Sequence, residues 1–125
     1  MIYTTYFAKL KSLPKDIIPI AICAKPPKGY SGLMYRCLAP KYDFFMQWKA
    51  TGDDDYYIKC YNEQVLEQLN VVEVVTGLYH QVSKSPCSCD IALVCFEKPT
   101  DFCHRHLVAD WLQKHGYSCE EFNYS

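Results

Sequence analysis

The sequence predicts an α/β domain, a three-layer Rossmann-like fold with a mostly parallel sheet and helices on both faces. Two apolar runs, residues 17–24 and 91–96, are continuous instead of alternating, which is typical of strands buried on both faces. Segments with apolar residues at helical spacing lie between these runs and after the second one. Because parallel strands need long crossover connections, this alternation favours an α/β fold. With 125 residues, the chain is predicted to be a single domain spanning 1–125.

The first part of the chain predicts two strands joined by a short connection. Residues 2–7 are rich in aromatic and β-branched side chains, which suit a pleated surface. Residues 8–13 predict a turn or short helix that ends at Pro14. The apolar run at 17–24 predicts the second strand, with Pro19 near its start, where a missing N–H is tolerated.

A helix is predicted where Phe44, Phe45 and Trp48 follow one another at helical spacing. Aromatic residues interleaved with Lys41 and Lys49 can stack the bases of a single-stranded nucleic acid. An aromatic helix face packed on the core, with both lysines in water, is the interpretation that we prefer.

Two further helices are predicted in the middle of the chain. The first helix should stop at Gly52, and three aspartates at 53–55 then open a helix that runs on from Tyr56. These carboxylates could hold Mg²⁺, but a consecutive run at a helix entry is more simply a cap. Asn70, with Glu73 three residues later, resembles a capping box that opens the next helix.

The last part of the chain predicts a strand, a turn, a helix and a final strand. The run at 91–96 is followed by a turn that contains Pro99, and apolar residues at helical spacing begin just after His104. Gly116 is a good residue to end that helix, and residues 119–124 read as a short strand.

The start of this last helix carries an unusual set of side chains, Cys103, His104, Arg105 and His106. Helix starts normally favour acidic residues, because unpaired backbone N–H groups give that end a partial positive charge. Backbone N–H groups together with fixed cations make an anion-binding site, so the pattern predicts a functional site. In the alternative, Asp101 caps the helix or pairs with Arg105, and nothing binds there.

These residue types suit nucleophilic chemistry on an anionic ligand. Cys103, at a helix start beside cationic groups, should have a lowered pKa and react as a thiolate. His104 and Glu97 are candidates for general acid and base, and the fork of Arg105 suits a bidentate contact with phosphate or carboxylate. Cys95, at the end of the preceding strand, completes the predicted catalytic set. The spacing of the cysteines and Arg105 is not that of a cysteine phosphatase.

Further ligand-binding residues are predicted in the loop after the second strand. Loops at the carboxyl ends of parallel strands form the ligand crevice, which brings this loop towards Cys95. An ordinary solvated connector is the alternative. The predicted ligand-binding residues are Lys25, Lys28, Gly29, Tyr30, Lys98 and His106.

Eight cysteines are a high count for a chain whose start lacks an export signal. In a reducing compartment they should be free thiols or metal ligands. Structural zinc is an alternative, with Cys87, Cys89, Cys95, Cys103 and His104 as the available ligands. Cys87 and Cys89 are separated by one residue, and this short spacing disfavours a zinc site. We therefore assign no metal and leave the cofactor open.

Charge and hydropathy restrict the partners. A formal net charge of −1 disfavours strong, sequence-independent binding to nucleic acid. No stretch approaches the roughly 20 apolar residues of a membrane span, so we expect a cytoplasmic protein without a membrane partner. A small anionic, nucleotide-like molecule is the expected ligand. A non-catalytic module that binds nucleic acid or a protein through residues 25–48 is the alternative.

The motifs around the predicted site resemble those of domain of unknown function family 488 (DUF488). A Cys-Phe-Glu-Lys sequence at 95–98 precedes a Cys-His-Arg triplet at 103–105, and the segments at 30–33 and 38–45 are also similar to compact phage or bacterial members. The resemblance implies the fold and the site, and it implies no reaction. Broader members carry an Asp-x-Arg arrangement after the second strand, and residues 22–25 lack it.

Overall fold

The sheet of the computed structural model, which describes residues 1–82 and 89–124, has five strands, and every strand pair is parallel. The strand order is β3-β2-β4-β1-β5, so β4, the longest strand, is the central one. This confirms the predicted α/β fold class. The strands are β1 Ile2–Tyr6, β2 Ile17–Ala21, β3 Leu33–Met34, β4 Asp90–Cys95 and β5 Cys119–Glu121.

Two strands differ from the prediction. The edge strand β3 is only two residues long and comes from a segment with no clear apolar period, so the sequence did not predict it. Strand β5 ends at Glu121, although the strand-like pattern continues to Tyr124. Directly beyond Glu121, the Phe122 N–H still donates to the Thr4 carbonyl, at 2.8 Å.

Four α-helices and three 3₁₀ helices connect the strands in the described part of the chain. Asp53 caps one helix, because its Oδ1 accepts a hydrogen bond from the Tyr56 N–H at 3.1 Å, and Asn70 caps the next by accepting from the Glu73 N–H at 3.1 Å. Both predicted caps are therefore confirmed. The helices are α1 Tyr42–Thr51, α2 Asp54–Gln64, α3 Val71–Gln81, α4 His104–Lys114 and the 3₁₀ helices Phe7–Ser12, Arg36–Leu38 and Leu66–Gln68.

The two faces of the sheet are covered differently. Alternate residues of β4 point to opposite faces, so Ile91 and Leu93 pack with the four α-helices while Ala92 faces the other way. Ala92 packs with Leu10 of the first 3₁₀ helix and with aromatic residues of the C-terminal segment, including Phe122. Helical structure therefore covers both faces, but the main core lies on the side of α1 to α4.

The parallel arrangement brings three chain segments to one edge of the sheet. The chain leaves β2 through Ile22 and Cys23, and the Ile22 N–H still donates to the Val94 carbonyl at 3.1 Å. Strand β4 ends at Cys95, and α4 starts at His104. None of the helices in the described residues is long and apolar enough to span a membrane.

Replacing Asp53 with alanine should lower the free energy of unfolding by about 1 kcal/mol, because the Tyr56 N–H loses its capping acceptor. The control is Asp55→Ala, which removes an exposed carboxylate from the same first turn and should cost only a few tenths of a kcal/mol. Urea denaturation followed by circular dichroism measures both. Equal losses would contradict the assignment of Asp53 as the cap.

Candidate active site

The site is built around two thiols and one imidazole at the edge where β4 ends and α4 begins. Cys95 is the last residue of β4, Cys103 is the N-cap of α4, and His104 is its first residue. The two sulfur atoms and a ring nitrogen lie within 4.8 Å of one another. All three residues are buried, with exposed fractions of 1%, 4% and 6% respectively. The fold therefore brings together three of the five predicted catalytic residues in a single cluster.

A backbone carbonyl fixes the orientation of His104. Its Nε2 atom lies 2.8 Å from the carbonyl oxygen of Ile22, at the end of β2. A carbonyl oxygen only accepts hydrogen bonds, so Nε2 must carry a proton. This leaves Nδ1 as the ring nitrogen that is free to interact with a thiol, and the Cys95 sulfur lies 3.6 Å from both ring nitrogens.

The two thiols ionise very differently. A hydrogen bond with the Cys95 thiol is the largest cause that lowers the pKa of Cys103, to about 3, against the opposing effect of burial. His104 lowers the pKa further through a hydrogen bond and its charge. Burial, together with the neighbouring Cys103, raises the pKa of Cys95 well above its usual range. Cys103 is therefore the thiolate at neutral pH, and Cys95 remains a thiol that donates to it.

Glu97 is the acid beside this thiolate. Burial raises the pKa of its carboxyl group, and the charge of Cys103 and a hydrogen bond with it raise the pKa further. The carboxyl group thus holds its proton to a higher pH than an ordinary glutamate does. A retained proton next to a nucleophile is what a general acid requires.

Arg105 is completely buried, and its contacts are internal to the protein. Its Nε and Nη2 atoms each donate to the Glu121 carboxylate of β5 at 3.0 Å, and Nη1 donates to the Glu97 carbonyl at 2.7 Å. Although burial acts to lower its pKa, the hydrogen bond to Glu121 raises the pKa above the usual value. We predicted that the fork of Arg105 binds an anionic ligand. In the structure the fork instead binds the Glu121 carboxylate of β5.

Sequence reasoning missed Glu121 and gave Asp101 a role that it does not have. Asp101 lies in the exposed turn, where its backbone N–H donates to the Lys98 carbonyl, and it neither caps α4 nor pairs with Arg105 in the structure. Only the strand register, which pairs Thr4 with Glu121, shows that this carboxylate lies on the helix side of the sheet. The sequence offered two adjacent glutamates in a short predicted strand, with nothing to show which of them faces Arg105.

An open cleft of about 620 Å³ extends from the cluster to the protein surface. Cys95, Glu97 and His104 lie at its inner end, and Lys25, from the predicted ligand loop, also lines it. The volume lies within the range of small-molecule sites. Cys103 does not line the cleft itself. It lines an adjoining cavity of about 20 Å³, the size of one water molecule or one reacting group, which shares Glu97 and His104 with the cleft.

The other predicted ligand-binding residues lie elsewhere. The Tyr30 hydroxyl donates to the Leu33 carbonyl at 2.6 Å and so stabilises its own loop. Lys28, Gly29 and Lys98 are exposed and do not line the cleft. His106 does not line the cleft, and its Nε2 atom is buried without a hydrogen-bond partner among the described residues.

The interpretation that α1 packs its aromatic face on the core is correct for only part of the helix. Phe44 is buried at 1% exposure and contacts Tyr57 in the core, as expected. Tyr42 and Met46 are exposed at 74% and 43%, and they line the cleft together with Trp48. One face of the helix builds the core, and the adjacent face builds one wall of the cleft.

The candidate zinc ligands are only partly brought together. Cys95, Cys103 and His104 form the one group of potential ligands found among the described residues. Cys89 is not in that group, and Cys87 lies outside the described residues.

Comparison with known families agrees with the resemblance noted in the sequence. A family model described as the active DUF488-N3 subclade (DUF488-N3a) matches residues 2–116, which include every strand except β5 and all four α-helices. Searches of curated proteins and of solved structures gave no match.

Replacing Glu121 with alanine should lower the free energy of unfolding by about 3 kcal/mol, because the buried Arg105 guanidinium loses its charged partner. The matched control is Glu120→Ala, an exposed neighbour on the same strand, which should stay within about 0.5 kcal/mol of the wild type. Urea unfolding of both variants tests this. A neutral effect of the Glu121 substitution would show that the ion pair does not hold α4 on the sheet.

Proposed function

We propose that this chain, which belongs to the DUF488 family, is a cysteine-dependent enzyme that binds and transforms a small anionic, nucleotide-like molecule in the cleft. The observation that carries the proposal is the placement of Cys103, whose sulfur lies within 4.8 Å of the Cys95 sulfur and of a His104 ring nitrogen and which lines a small cavity together with Glu97. The description of the matching subclade as active is consistent with it. A purely structural cysteine has no need of such neighbours.

Each residue of the cluster has a distinct role in this chemistry. The Cys103 sulfur forms a bond to an electrophilic carbon of the ligand, and the bond from that carbon to its leaving group breaks. The leaving group takes the proton of the Glu97 carboxyl group, which becomes a carboxylate. That carboxylate then removes a proton from a water molecule, whose oxygen displaces the sulfur and restores the thiolate.

Cys95 and His104 support the nucleophile. The Cys95 thiol and the Nδ1 side of His104 stabilise the thiolate before attack and after its release. Arg105 acts as a positioning residue, because it holds the backbone of Glu97 on one side and β5 on the other.

Alkylation of Cys103 by iodoacetamide should be nearly independent of pH between pH 5 and 8, because a thiol with a pKa of about 3 is ionised throughout this range. A model thiol with a pKa of about 8.5 reacts roughly tenfold faster for each added pH unit in this range. Peptide mapping by mass spectrometry gives the rate at each cysteine, and free cysteine serves as the reference. Because Cys103 is buried, its pH profile is the readout and its absolute rate is not.

Two variants control this experiment. Cys103→Ser should abolish the pH-independent labelling, and Cys37→Ser, which removes an exposed thiol, should leave it unchanged. A labelling rate at Cys103 that rises tenfold with each pH unit would mean that it is an ordinary thiol, and the proposed mechanism would be wrong.

Replacing Cys95 with alanine should move the labelling midpoint of Cys103 to higher pH, because it removes the hydrogen bond that contributes most to the low pKa. Cys60→Ala, a buried thiol of α2 that is not in the cluster, is the control and should not move it. Both midpoints come from labelling rates between pH 3 and 8, with circular dichroism to confirm folding at each pH. A midpoint unchanged by Cys95→Ala would remove Cys95 from the site.

A metal site is a second candidate, favoured by the orientation of His104. Three buried ligand atoms lie within 4.8 Å of one another, and the bond from Nε2 to the Ile22 carbonyl leaves Nδ1 for a metal. Two thiolates and one imidazole suit zinc, with the fourth position left for water or a ligand.

Zinc content separates the two candidates. For the metal site we expect about one zinc per chain in protein expressed with added zinc, and a loss of most of it in Cys95→Ala and His104→Ala. Elemental analysis of protein purified under reducing conditions measures this. Zinc below about 0.1 per chain in the wild type would reject the metal site and leave the nucleophile.

A further inference from the structure

The cleft has features beyond those that the thiol chemistry requires. Cys95, Glu97 and His104 line it, but most of its wall is formed by large apolar side chains and by two lysines. The wall residues outside the cluster therefore indicate which kind of molecule the cleft accepts.

The first wall is the outer face of α1. Tyr42 and Met46 lie one helical turn apart and expose large apolar surfaces, and Phe45 and Trp48 line the cleft beside them. The Trp48 indole is held in place, because its Nε1 atom donates to Asp54 at 2.7 Å and its ring packs against Tyr57 at 5.4 Å between centroids. A fixed aromatic wall loses little entropy when a flat ring stacks on it.

The second wall is Phe96, which directly follows β4. Its side chain is 47% exposed, although a phenylalanine at the end of a buried strand would normally turn into the core. The ring is supported from behind by Phe7, at 4.9 Å, and Phe7 in turn packs on Tyr30, at 5.3 Å. The cleft is therefore bordered by two supported aromatic surfaces.

The charged side chains of the cleft are unevenly distributed. Lys25 and Lys49 both line it, both are exposed, and neither forms an ion pair with an acidic residue among the described part of the chain. The Lys49 ammonium lies 5.3 Å from the centre of the Phe45 ring, next to the aromatic wall. The acidic residue in the cleft is Glu97, at the inner end beside Cys103. An anionic group is attracted to the lysines and is kept away from the inner end by the thiolate.

We propose that the occupant of the cleft is a nucleoside monophosphate, with its base stacked on the aromatic walls and its phosphate on Lys25 and Lys49. The assignment rests on the proposed function for the reaction, and it names the substrate class. A flat base matches the supported rings, and a phosphate matches two unpaired lysines. The remaining part of the molecule then lies towards Cys103 and Glu97. The single-stranded nucleic acid considered from the sequence would use the same stacking, but it needs a longer basic track.

Isothermal titration calorimetry with AMP, CMP, GMP and UMP tests the assignment. The titrations use the Cys103→Ser protein, so that no turnover occurs, and they compare each monophosphate with its nucleoside and with inorganic phosphate. We expect at least one monophosphate to bind at least tenfold more tightly than both its nucleoside and phosphate alone, because base and phosphate contacts act together. If no monophosphate binds below about 5 mM, or if nucleoside and monophosphate bind equally, the proposal is overturned.

Matched variants locate the site. Phe96→Ala should weaken binding about tenfold for monophosphate and nucleoside alike, because a stacking surface is lost. Lys49→Ala should weaken only the monophosphate, about fivefold, whereas Lys41→Ala, from the N-cap of the same helix but outside the cleft, should have no effect. Equal effects of the two lysine substitutions would overturn the proposal. So would tight, strongly salt-dependent binding of oligothymidylate in the absence of monophosphate binding.

The titrations test the ligand, and the alkylation of Cys103 tests the nucleophile, so the two proposals can fail independently. If monophosphates bind but Cys103 alkylates as an ordinary thiol, the ligand assignment stands and the nucleophile is wrong. If Cys103 is the pH-independent thiol but no monophosphate binds, the reverse holds.

Discussion

The buried contact between Arg105 and Glu121 holds the functional part of this structure together. The guanidinium joins β5 to the first turn of α4 and, through the Glu97 carbonyl, to the chain that follows β4. Glu121 also accepts from the Thr4 hydroxyl of β1 at 2.6 Å, so three segments meet at this carboxylate and a fourth is joined to them through the guanidinium. A buried ion pair is not a large source of stability, but removing one partner leaves a costly unpaired charge. Segments that share such a pair are constrained to one arrangement.

That arrangement places two cysteines with opposite properties side by side. Cys103 is at the start of a helix, where a thiol donor and an imidazole favour its ionised form. Cys95 is at the end of the central strand, where burial disfavours ionisation. Neither the residue type nor the position in the fold alone explains why the two thiols ionise differently. The difference arises because one sulfur becomes the hydrogen-bond acceptor of the other, and a low-dielectric interior amplifies that asymmetry.

The elements that form the core and the cluster also form the walls of the cleft. Helix α1 uses Phe44 for the core and the adjacent Phe45, with Trp48, for the cleft. Phe96 continues directly from the strand that carries Cys95, so the reactive cluster and one aromatic wall are one residue apart in the chain. Membership of the DUF488 family is consistent with the fold and with the position of the site, and the reaction and its substrate rest on the side chains themselves.

The sequence by itself determined the features that depend on local physics. The continuous apolar runs identified β2 and β4, and the aspartate run and Asn70 identified helix starts. The cysteine and histidine residues around the last turn pointed to the segment in which Cys95, Cys103 and His104 cluster. Such patterns are readable because propensity, capping and strand periodicity act over a few neighbouring residues. The two-residue strand β3 carried too little pattern to be recognised.

Only the tertiary structure decided which side chains face one another. It paired Arg105 with Glu121, 16 residues away, instead of with a ligand or Asp101. It set His104 on the Ile22 carbonyl, 82 residues away, and turned Tyr42, Met46 and Phe96 towards a shared cleft. These contacts follow from strand order and register, which juxtapose residues distant in the chain. A single sequence holds no local signal for such pairs, because their free energy exists only once the sheet has formed.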